Sequence, residues 1–168
     1  MGYKVVAIDT RTAPLSLMST LPKHLQPNLV INASDGVERA LASINATFIS
    51  STVPVLRATG VDASIVSTGA LPAFKFATEI TEKHGTLVAV GQPNDPIPFH
   101  WSAFISRDLT IIPGCLGQPK IMTEMLETVV AHGIHVEKRI YGLEDVETLV
   151  HDYHDPGMKG KLVFKIED

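Results

Sequence analysis

The sequence contains one cysteine, Cys115, in 168 residues. A single thiol excludes an intrachain disulfide framework and any zinc site built from several cysteines. Cys115 reads as a small buried apolar residue. A free thiol of this kind is expected in the reducing cytoplasm. Basic residues give no surplus either: Lys and Arg number 14 against 18 Asp and Glu, for a net charge of −4. Nucleic acid is therefore not an expected partner. No run of about 18 apolar residues is present to span a bilayer. The start, Met1-Gly2-Tyr3-Lys4-Val5-Val6, lacks the long apolar core of a signal peptide. There is no P-loop and no G-x-S-x-G nucleophile elbow. An acid–base pair of ordinary side chains stays open, so no catalytic residue is assigned.

What is present is an ordinary globular composition, 45% hydrophobic and 19% charged, long enough for one domain over 1–168. Strand and helix patterns alternate along it. Lys4 to Asp9 and Asn28 to Ala33 read as buried strands, with a Pro-punctuated stretch and a short helix, Leu15 to Thr20, between them. Asp35 and Glu38 stand at capping-box spacing before a helix with Val37, Leu41 and Ile44 on one face. Phe48 to Leu56 is ambiguous between strand and loop, since Pro54 weakens a central strand. Ala63 to Ser67 is a strand and Thr68-Gly69 a turn. Pro72 opens a helix lined by Phe74, Ala77 and Ile80, with Gly85 as its C-cap. Thr86 to Gly91 and Leu109 to Ile112 are further strands, separated by a Pro-rich loop and a short helix from Trp101 to Ser106. Lys120 to His132 is an amphipathic helix with Met122, Met125, Leu126, Val129 and Val130 as its apolar stripe. His135 to Ile140 is a strand and Leu143 to Tyr153 a helix. Lys161 to Ile166 is the last strand. Alternation of this kind predicts an α/β fold with a mostly parallel sheet flanked by helices, whose ligands bind at the strands' carboxyl ends.

Four collinear segments carry a resemblance: GYKVVAIDTR, ASIVSTGALPAF, HGTLVAVGQP and YGLEDVETLVHDYHDPGMKGKLVFKI. Together the chain resembles the cofactor-binding half of the zinc-type, medium-chain alcohol dehydrogenases, a Rossmann-like family of NAD-dependent oxidoreductases. The resemblance implies that 1–140 is an incomplete dinucleotide-binding domain. It implies that 141–168 is the C-terminal helix and strand that dock on the family's catalytic domain. It also implies departures. The family's G-x-G-x-x-G turn, which lets the backbone approach the cofactor pyrophosphate, does not occur here, and the family pattern places it immediately before Met1. The fold expected is thus a Rossmann-like one lacking its first βα unit. The cysteine-rich zinc ligands of the preceding domain cannot be assembled, so no zinc is expected. Pro119 stands where the family often has a phosphate-binding arginine, with Lys120 next along as a point charge only.

By the same resemblance, Asp9 is the acid that accepts both adenosine-ribose hydroxyls, which favours NAD. Arg11 could instead meet the 2′-phosphate of NADP. Ser67, Thr68 and Gly69, with Val90 and Gly91, fall where the family lines the cofactor. Lys161 matches the basic residue of its C-terminal turn. As plain chemistry, these glycines and hydroxyl residues also suit turns and helix starts. His151, His154 and Asp155 have a metal-compatible spacing without a completing ligand, so no metal site is assigned.

A first strand is central in this architecture. Its absence predicts two apolar edges without partners, to be covered by Lys161 to Ile166, by Phe48 to Leu56, or by a second copy in a homodimer. The function expected is an alcohol dehydrogenase-like oxidoreductase fold with weak NAD(H) binding and no zinc-dependent catalysis of its own. The alternatives are a cofactor-independent cyclase or isomerase taking a small organic ligand beside Phe99, Trp101 and Phe104, or a non-catalytic partner of a full-length dehydrogenase.

Overall fold

A computed structural model describes residues 2–48, 60–114 and 117–166. The fold consists of two compact units, Met1–Asn32 with Gly117–Asp168, and Ala33–Leu116. Cys115 and the ambiguous segment beyond Phe48 lie outside the described residues.

In the first unit, β1 (Val6–Asp9) pairs in parallel with β2 (Leu29–Asn32), Val6 opposite Leu29 and Asp9 opposite Asn32. Both are short, apolar and β-branched-rich, as buried parallel strands are. The crossover holds α1 (Thr12–Leu17) and two short 3₁₀ turns, Met18–Thr20 and Lys23–Leu25. Asn28 fixes the start of the register: its side-chain oxygen accepts from the Val5 N–H at 2.8 Å, while its own N–H donates to the Val5 carbonyl at 2.8 Å. Later in the chain come α5 (Pro119–Ala131), β6 (Lys138–Tyr141), α6 (Val146–Tyr153) and β7 (Lys161–Phe164). β6 and β7 pair in parallel, Lys138 opposite Lys161, with α6 as the crossover that parallel neighbours require. The last strand is thus spent on β6, and β1 has β2 as its one partner among the described residues.

The second unit holds α2 (Val37–Phe48), β3 (Val61–Val66), α3 (Leu71–Ile80), β4 (Thr81–Ala89), α4 (Ser102–Ile105) and β5 (Thr110–Pro113). Its three strands run parallel in the order β3-β4-β5. Phe74, Ala77 and Ile80 are all buried, as their i, i+3, i+6 spacing predicts. Phe74 and Ala77 meet Val66 and Leu87 in a cluster flanked by Ile97, Phe99 and Ile111. Complete burial of a side chain such as Phe74 or Leu87 contributes about 1.5–3 kcal/mol.

Three local expectations are corrected. Gly85 does not cap α3. The helix ends at Ile80 and β4 begins at once, so Gly85 lies inside a strand. Arg107 closes the helix instead, donating to the carbonyls of Thr78 at 2.7 Å and Glu79 at 3.3 Å, and to that of Thr81. A charged donor serving several orphan carbonyls removes the need for a left-handed glycine. Gly85 is required for a different reason: a Cβ there would stand 2.6 Å from Thr81 Cγ2 and 2.9 Å from the Asp62 carbonyl oxygen. It sits in the bulge where pairing with β3 jumps from Val61–Thr81 to Ala63–Thr86.

The Asp35–Glu38 box is also displaced. Asp35 ends a 3₁₀ turn (Ala33–Asp35), and Gly36, at φ 89°, is the residue that leads into α2. Finally, the apolar stripes of α5 and α6 are not in a core. Met122, Met125, Leu126 and Val130 on α5 are exposed, as are Val146, Val150 and Tyr153 on α6. No described helix is long and apolar enough to cross a membrane.

Candidate functional site

In the second unit, the carboxyl ends of the parallel strands are drawn together by their own backbone. The Val66 carbonyl at the end of β3 accepts from Val90 N–H at 3.0 Å and Gly91 N–H at 2.8 Å. Gly114 N–H donates to the Ala89 carbonyl at 2.7 Å, tying the end of β5 to that of β4. Gly91 lies flat against Thr68: an added Cβ would be 2.9 Å from the Thr68 nitrogen and closer still to its carbonyl. At Gly69 an added Cβ would be 2.9 Å from the Gln92 carbonyl oxygen. Ser67, Thr68 and Gly69 are exposed, and Val90 is 43% exposed. The Thr68 hydroxyl accepts from Ala70 N–H at 3.3 Å, which starts α3. Five of the residues singled out in the sequence are therefore neighbours on one strand-end ledge. The ledge is polar in backbone, glycine-lined and open to solvent, and this is where a parallel α/β sheet receives ligands.

In the first unit, Asp9 ends β1 and Arg11 precedes α1. They engage each other. Asp9 Oδ1 accepts from the Arg11 backbone N–H at 2.9 Å and from its Nε at 3.4 Å, and Oδ2 accepts from Nη2 at 3.5 Å. The backbone bond, an Asx-type turn, sets the direction of the carboxylate. The side-chain contacts are long, and both side chains are partly exposed, Arg11 at 48% and Asp9 at 29%. With three contacts accepted, about one of the carboxylate's roughly four lone-pair sites is free, and a second hydroxyl donor would replace one of the long Arg11 side-chain contacts.

Lys161 opens β7. Its N–H donates to the Glu137 carbonyl at 2.8 Å, and Gly160, at φ 67°, leads into it. Its side chain is exposed beside Lys138 on the neighbouring strand. No contact joins it to Asp9 or Arg11 among the described residues. Lys120 is exposed and spans to Glu124 at 4.0 Å along α5.

The histidines form no metal cluster among the described residues, where no group of three or more His, Cys, Asp or Glu could hold an ion. His151 Nδ1 approaches Asp152 Oδ1 at 3.4 Å, and Asp155 accepts from Gly157 N–H at 2.8 Å. His100 pairs with the Ser102 hydroxyl at 2.8 Å.

Sequence reasoning missed one polar cluster. Tyr141, buried on β6, donates its hydroxyl to Asp152 Oδ2 on α6 at 2.6 Å, and Arg139 Nη1 reaches the same oxygen at 2.5 Å. The Tyr141 hydrogen bond, then that of Arg139, holds the Asp152 carboxyl below its ordinary value. Burial, then the Asp152 carboxylate, pushes the Tyr141 phenol up. Arg139 and Tyr141 lie 13 and 11 positions before Asp152 in the chain, so no local motif joins them to it. The β6–α6 crossover itself was the only available signal.

The family model described as zinc-binding dehydrogenase matches residues 1–131. Among solved structures, the chain is similar to the alcohol dehydrogenase of the archaeon Aeropyrum pernix, with a TM-score of 0.77 at 16% identity over 96% of this chain and 42% of that one. It is also similar to an alcohol dehydrogenase zinc-binding domain protein from Burkholderia ambifaria, with a TM-score of 0.73 at 19% identity over 97% and 42% of the two chains. For benzyl alcohol dehydrogenase from Acinetobacter calcoaceticus the TM-score is 0.71 at 20% identity, over 96% and 42%. The chain spans less than half the length of each of these proteins.

Proposed function

Because the chain belongs to the zinc-binding dehydrogenase family, we propose that it is a cofactor-binding portion of an alcohol dehydrogenase-like oxidoreductase, one that binds NAD(H) weakly with Asp9 as the acceptor for the adenosine ribose. The observation that carries this reading is the Asp9 carboxylate. It sits at the carboxyl end of a parallel strand, with its direction set by the Arg11 N–H at 2.9 Å. Two ribose hydroxyls donating to such a carboxylate form charge-assisted hydrogen bonds. In the second unit, Ser67, Thr68, Gly69, Val90 and Gly91 offer a ledge of flat backbone and small side chains, by itself a surface suited to a ligand. These 168 residues hold no G-x-G-x-x-G turn to cradle the pyrophosphate, so the contacts proposed for them give low affinity by themselves. When bound, the nicotinamide would supply hydride transfer. The residues described here bind and orient, and none is assigned the chemistry at zinc. Titration calorimetry with NADH tests the reading: binding in the high micromolar to millimolar range is expected, with Asp9→Ala weakening it about tenfold. No heat at millimolar cofactor would end it.

The same reading includes a second copy of the chain. Its support is that β1 pairs only with β2 and β3 only with β4 among the described residues. An unpaired strand edge is an open template for another chain.

A further inference from the structure

We propose that Met122 and Met125 of α5 form a peroxide-responsive modification site, at which sulfoxidation turns the outer face of the helix from apolar to polar. The inference stands on α5 alone and is independent of the nucleotide-binding reading. Both methionines are open to solvent, Met122 at 46% and Met125 at 47%. They stand three positions apart in the helix Pro119–Ala131, so their side chains are neighbours on one face. Ile121, Leu126 and Val130 flank them and are exposed as well. The helical period puts the two thioethers in the middle of that apolar arc, with Ile121 at one border and Val130 at the other. Met18 and Met158, by contrast, are half-buried.

The contacts that hold α5 leave this face free to change. On the polar side, Lys120 spans to Glu124 at 4.0 Å, and the Thr123 hydroxyl donates to the Pro119 carbonyl at 3.1 Å. At the carboxyl end, Ile134 N–H donates to the Val129 carbonyl at 3.0 Å, and His24 Nε2 lies 3.2 Å from the His132 carbonyl oxygen. None of these contacts uses a methionine sulfur. Oxidation therefore alters the hydration of the face and leaves the helix standing.

A thioether needs no deprotonation to react, so exposure of the sulfur governs its oxidation by peroxide. The sulfur gives an electron pair to one peroxide oxygen, the O–O bond breaks and an S–O bond forms. The other oxygen takes the proton of the transferred one and leaves as water. The sulfur is oxidised by two electrons and the peroxide is reduced by two. The sulfoxide is polar and accepts hydrogen bonds, and two of them side by side split a continuous apolar surface into two strips. Methionine sulfoxide reductases reverse the step: two thiols become a disulfide and the oxygen leaves as water.

The test treats the full chain with hydrogen peroxide and follows each methionine by peptide mass mapping. Trypsin separates the sites, since Met18, the Met122 and Met125 pair, and Met158 fall in residues 12–23, 121–138 and 140–159. Met122 and Met125 are expected to gain oxygen about threefold faster than Met18 and Met158, or more. Binding of the apolar dye ANS should fall about twofold on oxidation and return after treatment with both sulfoxide reductases, with the far-ultraviolet circular dichroism unchanged. A protein carrying Met122→Leu and Met125→Leu keeps the face apolar at nearly constant volume, and should hold its dye signal through the same treatment. Met18 or Met158 reacting as fast as the pair overturns the site. A dye signal that is absent, unmoved by oxidation, or lost equally in the double variant overturns the change of face, as does a loss of helical ellipticity on oxidation.

Discussion

Gly91 shows how much one missing side chain decides at the candidate site. Its N–H bonds to the Val66 carbonyl at 2.8 Å, and its Cα faces the Thr68 backbone with no room for a Cβ. The obstacle is main chain on both sides, so no rotamer change relieves it. Gly91→Ala is expected to destabilise by about 1–3 kcal/mol, the usual cost of overpacking. At Gly117 an added Cβ would meet only Ile121 at 3.6 Å, an ordinary contact. Gly117→Ala should therefore stay within about 0.5 kcal/mol of wild type. Urea midpoints of the two variants check this, and equal midpoints would contradict the close approach of β3 and β4. The strand and its terminal glycine were readable from the apolar run Thr86 to Val90. Why that position is glycine was not, because the clashing residue is Thr68, which belongs to a different turn.

At the scale of elements, the helix α6 is held by its polar side. Asp152 accepts from both Tyr141 and Arg139 on β6, while Val146, Val150 and Tyr153 face outward. The sequence showed the helix and its apolar stripe. It gave no way to know that the stripe would face solvent, since periodicity marks a face without saying what covers it. The same holds for α5. Strand existence was more legible: β1, β2, β4, β5 and β7 each overlap an apolar run, as strands of α/β sheets do, whereas β6 (Lys-Arg-Ile-Tyr) is half charged and exposed at three of its four positions. The misplacement of Gly85 has a definite cause. Arg107, 22 positions beyond it, satisfies the α3 carbonyls, and long-range donors leave no local signature.

The attachment of α6 predicts a pH dependence. Asp152 titrates below the ordinary aspartate value of 3.8. A carboxyl whose folded value is depressed stabilises the fold above its unfolded value, and that contribution disappears as pH falls through the folded one. Wild type should therefore exceed Asp152→Asn in stability at pH 7, and the difference should shrink progressively below about pH 4. Denaturation of both proteins at pH 7 and pH 3 measures it. A difference that is the same at both values would mean that the charge of Asp152 contributes nothing.

For the whole molecule, the two units are unequally provided with core. The second buries Ala40, Ile44, Val66, Phe74, Ala77, Ile80, Leu87, Ala103 and Leu109, whereas in the first only Ile31 and Tyr141 are buried hydrophobics among the described residues. Conversely, Met122, Met125, Leu126, Val130, Val146, Val150 and Tyr153 of the first unit are all exposed. Single exposed apolar residues are unremarkable, but grouped ones mark surfaces that bind something. Parallel two-stranded sheets such as β1–β2 and β6–β7 are also marginal without further cover. Apolar exposure and one-sided strands together favour association, which is the physical basis for proposing a second copy. The expected outcome is a light-scattering mass of two chains that persists on dilution through the micromolar range. Ile65, 72% exposed on β3, lies on the strand whose outer side has no partner among the described residues. Placing a charge there, as natural edge strands do, should shift Ile65→Lys toward one chain without unfolding it, because the side chain is not in a core. A wild-type mass of one chain at every concentration would remove the dimer and leave the apolar faces of α5 and α6 to a different partner.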